Sequence, residues 1–169
     1  MAIGYGWKKI KIIDNDRMIA IADLDGSVYD PFDRIKIDLA FSDNSKFLAY
    51  NQITNDKKNM IHFFDVEKRK ISKSISCPAK LCSISFSPGG TYLAVGTIQN
   101  MVFIYNAEKD PKDSLIKIIY ANIVEIPAKN FNVIVRPQWD HNSNILAKSF
   151  KNPAILSIWK VSEDDVTLK

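Results

Sequence analysis

Only two cysteines and six glycines occur in this 169-residue sequence, and no apolar run is long enough to cross a bilayer. Each scarcity closes a class of explanation. Cys77 and Cys82, on either side of Pro78, are too few to build the disulfide framework of a small secreted domain. Asn-X-Ser/Thr sequons are absent, and Met1–Trp7 lacks the apolar core of a signal peptide. A membrane helix needs about 20 consecutive apolar residues, which are found nowhere. These absences together predict an intracellular, cytoplasmic setting, with the nucleus left open.

Chemistry-bearing motifs are equally scarce. The sequence has no Gly-X-Ser-X-Gly elbow, Walker sequence or His-Glu-X-X-His. Pro88-Gly89-Gly90 lies between two strand patterns, so no helix N-terminus follows to hold a phosphate. His62, alternating with Ile61 and Phe63, and His141, beside Trp139 and Asp140, are too isolated to form a zinc site. Asp23, Asp25, Asp30 and Asp33 lack the spacing of a calcium loop, and Gly26 directly after Asp25 reads as a hairpin turn. Cys82 is expected to be a small buried residue and Cys77 a loop thiol. The expectation is a non-enzymatic protein with no catalytic residue, cofactor or metal.

What is present is a repeated pattern of short strands. The hydrophobic content of 46% suits a chain that buries a core, and the net charge of +4 comes from scattered lysines such as Lys57-Lys58. The clearest unit spans residues 81–106: Leu81–Phe86, a Ser87-Pro88-Gly89-Gly90 turn, Tyr92–Thr97, a polar break, and Met101–Tyr105. A second copy stands upstream, where Phe41-Ser42 matches Phe86-Ser87 and Leu48-Ala49 matches Leu93-Ala94. Both matches are displaced by 45 positions. A more divergent copy follows, with Trp139 in the place of Phe86 and Leu146-Ala147 in that of Leu93-Ala94, both displaced by 53. A compact copy opens the chain with strands over 8–13, 18–23 and 27–30. Units of several strands repeating every 40 to 50 residues or so are the pattern of propeller blades.

These residues resemble the WD-repeat family of β-propellers. The matching elements are Phe86-Ser87-Pro88-Gly89-Gly90, the three Leu-Ala pairs, and the aromatic-polar pairs Tyr29-Asp30, Phe64-Asp65, Tyr105-Asn106 and Trp159-Lys160. No Gly-His opens a repeat, no Trp-Asp closes one, and Gln99 stands at the family's turn aspartate. The family's Asp-His-Ser-Trp hydrogen-bond network is therefore not carried over.

The expected fold is all-β: antiparallel propeller blades, about four of them, in a single segment 1–169 with candidate blades at 7–36, 37–76, 81–121 and 132–169. The first lacks an outer strand. The resemblance implies rings of typically seven blades. A four-blade arc is expected to leave the apolar faces of its end blades uncovered unless a partner chain or second copy completes the ring, or the four close as a small ring. A twisted sheet or sandwich is the remaining arrangement.

The aromatic residues at matched places, among them Phe41, Phe64, Phe86, Phe103, Tyr105, Trp139 and Trp159, are expected in the packing between blades. Trp7 and Phe131 fall outside the repeat. With Asn55, Lys57 and Lys58 in a polar loop, they are the candidate partner contacts. The resemblance implies a scaffold for protein–protein interaction within an assembly. Two alternatives remain: a basic propeller touching RNA, ribonucleoprotein or acidic lipid, and the propeller part of a larger enzyme. The phosphoinositide variant lacks its Phe-Arg-Arg-Gly motif here.

Overall fold

The computed structural model describes residues 2–5, 9–14, 19–25, 38–99, 101–120, 135–142, 144–149, 156–161 and 166–168. Within them the chain forms four antiparallel sheets, each strand hydrogen-bonded to the next in chain order. The first sheet holds β1 (Ala2–Tyr5), β2 (Lys9–Asp14) and β3 (Ile19–Asp25). The second holds β4 (Leu39–Phe41), β5 (Phe47–Ile53), β6 (Asn59–Asp65) and β7 (Lys70–Cys77). The third holds β8 (Leu81–Phe86), β9 (Tyr92–Thr97), β10 (Met101–Asn106) and β11 (Leu115–Tyr120). The fourth holds β12 (Val135–Trp139), β13 (Asn144–Ser149), β14 (Leu156–Val161) and β15 (Val166–Leu168). β1 is a strand that the sequence pattern did not announce. It pairs Ala2 with Ile12 and Tyr5 with Lys9, so the first sheet starts ahead of residue 7.

The sheets stack face to face, and the two-residue period of a strand decides which side chain goes to which neighbour. In β5, Leu48 and Tyr50 pack with Ile10, Ile12 and Leu24 of the first sheet. Ala49, between them, packs with Leu81, Leu93 and Val95 of the third. In β6, Phe64 goes to the first sheet and Phe63 to the third. The third sheet repeats this alternation: Leu93, Val95, Phe103 and Tyr105 meet the second sheet, while Ala94, Val102 and Ile104 meet Ile145, Val161 and Val166 of the fourth. Two-sided burial explains why Leu93–Thr97 and Val102–Asn106 are buried without interruption. It also gives the Leu-Ala pairs a physical meaning. In Leu48-Ala49 and Leu93-Ala94 the leucine fills the gap to the preceding sheet, and the alanine lets the following one approach. Phe63, Phe64 and Phe103 are each 1% exposed, and full burial of such a side chain contributes roughly 1.5–3 kcal/mol.

The cysteines exchange the roles expected of them. Cys77 ends β7 inside the core between the second and third sheets, at 3% exposure, whereas Cys82 is only half-buried. The cause is a register shift that falls at Cys82, between Leu81 and Ser83. The shift turns Leu81 and Ile84, an odd number of residues apart, into the same core cluster.

A second correction concerns the end faces. On the side of the first sheet turned away from the second stand Lys9 and Lys11 of β2 and Asp23 and Asp25 of β3. They pair across the strands as Lys9–Asp25 at 2.7 Å and Lys11–Asp23 at 3.9 Å. This part of the face is charged, not apolar. Lys9 and Asp25 are 49% and 77% exposed, so the fourth sheet does not lie on them.

Candidate interaction surfaces

The turns at one end of the sheets are built by a repeated serine. Ser42 donates its N–H to the Phe47 carbonyl (2.9 Å), and its hydroxyl oxygen accepts from Phe47 N–H (3.0 Å). Ser87 does the same with Tyr92, at 2.9 and 3.0 Å. The tight reversal requires left-handed backbone in both turns: Ser45 at φ 56° in the first, Gly89 at 79° and Gly90 at 80° in the second. The two turns are also joined, because Gly89 N–H donates to the Asp43 carboxylate at 3.1 Å. The polar residues ending β6 and β10 have matching tasks. Asp65 accepts Lys68 N–H at 2.9 Å, and Asn106 accepts Glu108 N–H at 2.9 Å. The bond from Lys68 N–H, with help from the Lys68 ammonium and against the upward push of burial, holds the Asp65 carboxyl below its ordinary range. Tyr29 and Asp30 lie outside the described residues.

Between these turns, the second and third sheets leave a cleft of about 570 Å³ lined by Phe63, Lys73, Gly90, Ala107 and Asp110, among others. Lys73 crosses it. Its ammonium donates to the carbonyls of Ala107 and of Lys109, the latter at 2.8 Å, and lies 4.8 Å from the Phe63 ring centre. Burial pushes its pKa down, against the pull of Asp110 and Glu108 upward. An ammonium so occupied ties two sheets together and is not free to receive an anion.

At the opposite end, Thr54–Lys58 forms the β5–β6 turn. The Thr54 N–H donates to the Lys58 carbonyl (3.0 Å), Lys57 N–H to the Thr54 carbonyl (2.9 Å), and the Thr54 hydroxyl to Asp56. Lys58 pairs with Asp56 at 2.6 Å. Of the sequence-predicted contacts, the structure therefore brings Asn55, Lys57 and Lys58 together on one exposed turn, with Lys57 at φ 61°. Trp7 and Phe131 lie outside the described residues.

Both ring nitrogens of His62 are engaged: Nδ1 with Ser74 Oγ at 2.7 Å and Nε2 with Gln52 Oε1 at 2.8 Å. Gln52 in turn donates to the Asp25 carbonyl at 3.2 Å, so the chain of bonds reaches the first sheet. Burial lowers the His62 pKa. The aromatic residues expected between blades are found there: Phe64, Phe103 and Tyr105 inside the core clusters, and Phe41, Phe86, Trp139 and Trp159 partly buried against them. Tyr105 packs its hydroxyl by Cys77, and burial raises the pKa of both. His141 sits exposed beside Asn142. Among the described residues, no three His, Cys, Asp or Glu side chains gather where a metal ion could be held, and no helix is long and apolar enough to cross a membrane.

Two inter-sheet bonds escaped sequence reasoning. Asp38, just before β4, accepts Ile84 N–H at 2.6 Å, and the Trp139 indole N–H donates to the Ser85 carbonyl at 2.9 Å. These bonds fasten the strands β4, β8 and β12, which approach one another in sequence. Trp139 could have been suspected from its place over Phe86. Asp38 carries no local signal.

No known family's profile matches the chain, and no curated protein matches it. Among solved structures, it is similar to the Dos1 propeller with a TM-score of 0.70 at 10% identity. The likeness covers 95% of this chain and 38% of that one. At such low identity the likeness speaks for the fold, and the fold is that of a β-propeller: antiparallel sheets packed face to face, spanning somewhat over a third of the longer propeller's length.

Proposed function

We propose that the chain is a non-enzymatic, intracellular scaffold for protein–protein interaction, a WD-repeat-like propeller arc that binds partners through the turns at its sheet ends and through its end faces. The observation that carries this reading is the alignment of nearly the whole chain with a minor part of a longer propeller. It supports an arc of a ring over a ring complete in itself. The chemistry agrees: the turns at both ends of the sheets spend their polar groups on one another, and His62 and Lys73 are committed to structural bonds. What remains for recognition is exposed surface such as Asn55 and Lys57.

The test is retention of co-purifying protein by the chain isolated from its natural source. In a variant carrying Asn55→Ala, Lys57→Glu and Lys58→Glu, retention is expected to fall at least tenfold with the melting temperature unchanged. Retention that instead collapses with rising salt and tracks nucleic acid in the sample would favour a phosphate-binding surface and overturn the reading.

A further inference from the structure

Three separate features meet at Ser72 of β7. In the sequence it follows Arg69 by three positions and Lys70 by two, and no other serine or threonine of the chain has basic residues at both places. In the sheet it stands on an edge, since β7 closes the order β4-β5-β6-β7 and is hydrogen-bonded to β6 alone among the described strands. At the surface it ends an unbroken run, Glu67–Ser72, in which every residue is exposed. The register pairs Phe63 with Lys73 and Phe64 with Ile71, so Ser72 is the extra residue of a bulge. Its hydroxyl donates to the Phe63 carbonyl at 3.0 Å.

From this juxtaposition we infer that Ser72 is a phosphorylation site, taken by a serine kinase whose substrate groove carries acidic pockets for basic side chains two and three positions ahead of the acceptor. Kinases choose substrates by such charge patterns, which reject wrong serines as well as attract the right one. A kinase needs its substrate extended and open along one side. β7 is already extended at an edge, and the bulge interrupts its ladder at the acceptor itself. In the transfer, Ser72 Oγ attacks the γ-phosphorus of a nucleoside triphosphate. The Oγ–P bond forms, the bond from that phosphorus to the β–γ bridging oxygen breaks, the nucleoside diphosphate leaves with that oxygen, and the hydroxyl proton passes to a carboxylate of the kinase. The neighbouring serines each lack a condition. Ser74 is half-buried, is bonded to His62, and follows Ile71 and Ser72, while Ser76 is exposed but has only Lys73 ahead of it at these positions.

The product acts on the cleft between the second and third sheets, which Ser72 lines together with Lys68, Lys73, Asp65 and Asp110. A phosphoester oxygen carries no proton, so the Phe63 carbonyl loses the donor it has in Ser72. The phosphate also brings a charge of about −1.5 to −2 beside Lys73, whose ammonium holds the Ala107 and Lys109 carbonyls. An anion from solution meets an ammonium already occupied, but one tethered to the adjacent residue competes at high effective concentration and offers the stronger, charge-assisted bond. Phosphorylation therefore draws Lys73 away from the third sheet and loosens the tie between the two sheets. The inference goes beyond the scaffold reading and does not depend on any partner being bound.

The test incubates the intact protein with magnesium ATP and the catalytic subunit of cyclic-AMP-dependent protein kinase, which selects basic residues at those two positions, and locates the phosphate by peptide mass spectrometry. Ser72 is expected to be phosphorylated at least about tenfold faster than Ser74 or Ser76, and within about tenfold of the rate for the same serine in a free peptide of residues 66–78. Arg69→Gln with Lys70→Gln should cut the rate at least about tenfold with the melting temperature unchanged. Faster transfer to another residue, a folded protein more than about tenfold slower than the peptide, or an undiminished rate in the double variant would overturn the site. In the phosphorylated protein, amide exchange in 107–113 is expected to quicken at least about threefold while β2 and β3 stay unchanged. Ser72→Ala, treated in the same way, should show no quickening. Unchanged exchange in the phosphorylated protein would overturn the coupling through Lys73 and leave Ser72 as the acceptor.

Discussion

The carboxylate of Asp38 accepts the backbone N–H of Ile84 at 2.6 Å, joining the second sheet to the third across 46 residues of sequence. Asp38 is itself held by Asn51, whose side-chain oxygen accepts Asp38 N–H at 2.6 Å and which is 1% exposed. A charged acceptor that satisfies a part-buried N–H is expensive to delete. Asp38→Ala should lower stability by about 1–3 kcal/mol, read as a lower urea midpoint with unchanged slope. Asp38→Asn, which keeps an acceptor oxygen, should recover about half of that.

The matched turns predict opposite outcomes for two substitutions. Ser45 occupies left-handed backbone that costs a side-chain-bearing residue roughly 1–2 kcal/mol, so Ser45→Gly should stabilise by up to about 1 kcal/mol after the added freedom of the unfolded chain is counted. Gly90→Ala should destabilise by at least about 1 kcal/mol, because φ is 80° and the new methyl would stand 3.3 Å from Ser42 Cβ. Thermal melting of both variants checks the pair.

Lys73 should behave as a staple. Removing its ammonium with Lys73→Met keeps most of the apolar stem against Phe63 but leaves the Ala107 and Lys109 carbonyls without their donor. A loss of about 1–2 kcal/mol is expected. Amide exchange should quicken in 107–113 first. Uniform quickening across the chain would contradict a local role.

His62 makes stability depend on pH. Its pKa is lower in the folded state than the unperturbed value near 6.5, because burial disfavours the imidazolium. Folding is therefore favoured fully above about pH 6.5, and the advantage is lost as pH falls from there through the folded-state pKa. The melting temperature should be flat from pH 8 to 7 and decline between about 6.5 and 5. The decline should shrink in His62→Gln. An equal decline in that variant would assign the effect to other groups.

How much of this was legible in the sequence depended on how local each cause is. The turns at Ser42 and Ser87 could be read because a hydroxyl, a left-handed residue and the strand behind them lie within a few positions. The alternation of Leu48 and Ala49, or Leu93 and Ala94, was visible as a motif, and the stacking of the sheets gives its reason. The cysteines were misread because the shift at Cys82 reverses the two-residue period, and no local residue announces it. β1 escaped because Ala2–Tyr5 carries no apolar alternation to mark a strand. The charges of Lys9, Lys11, Asp23 and Asp25 were in plain view. They went unrecognised as one face because that requires the pairing register of β2 with β3. Among the candidate contacts, Asn55, Lys57 and Lys58 could be placed on one turn by composition alone, whereas Asp38 and Trp139 act at sequence distances where composition is silent.

The most direct test of the scaffold account is the molar mass in solution of the chain isolated from its natural source, measured by light scattering after size-exclusion chromatography. The account predicts a mass above that of one chain, from a co-purifying protein or a second copy. A single-chain mass at every concentration, with no other protein retained, would contradict it.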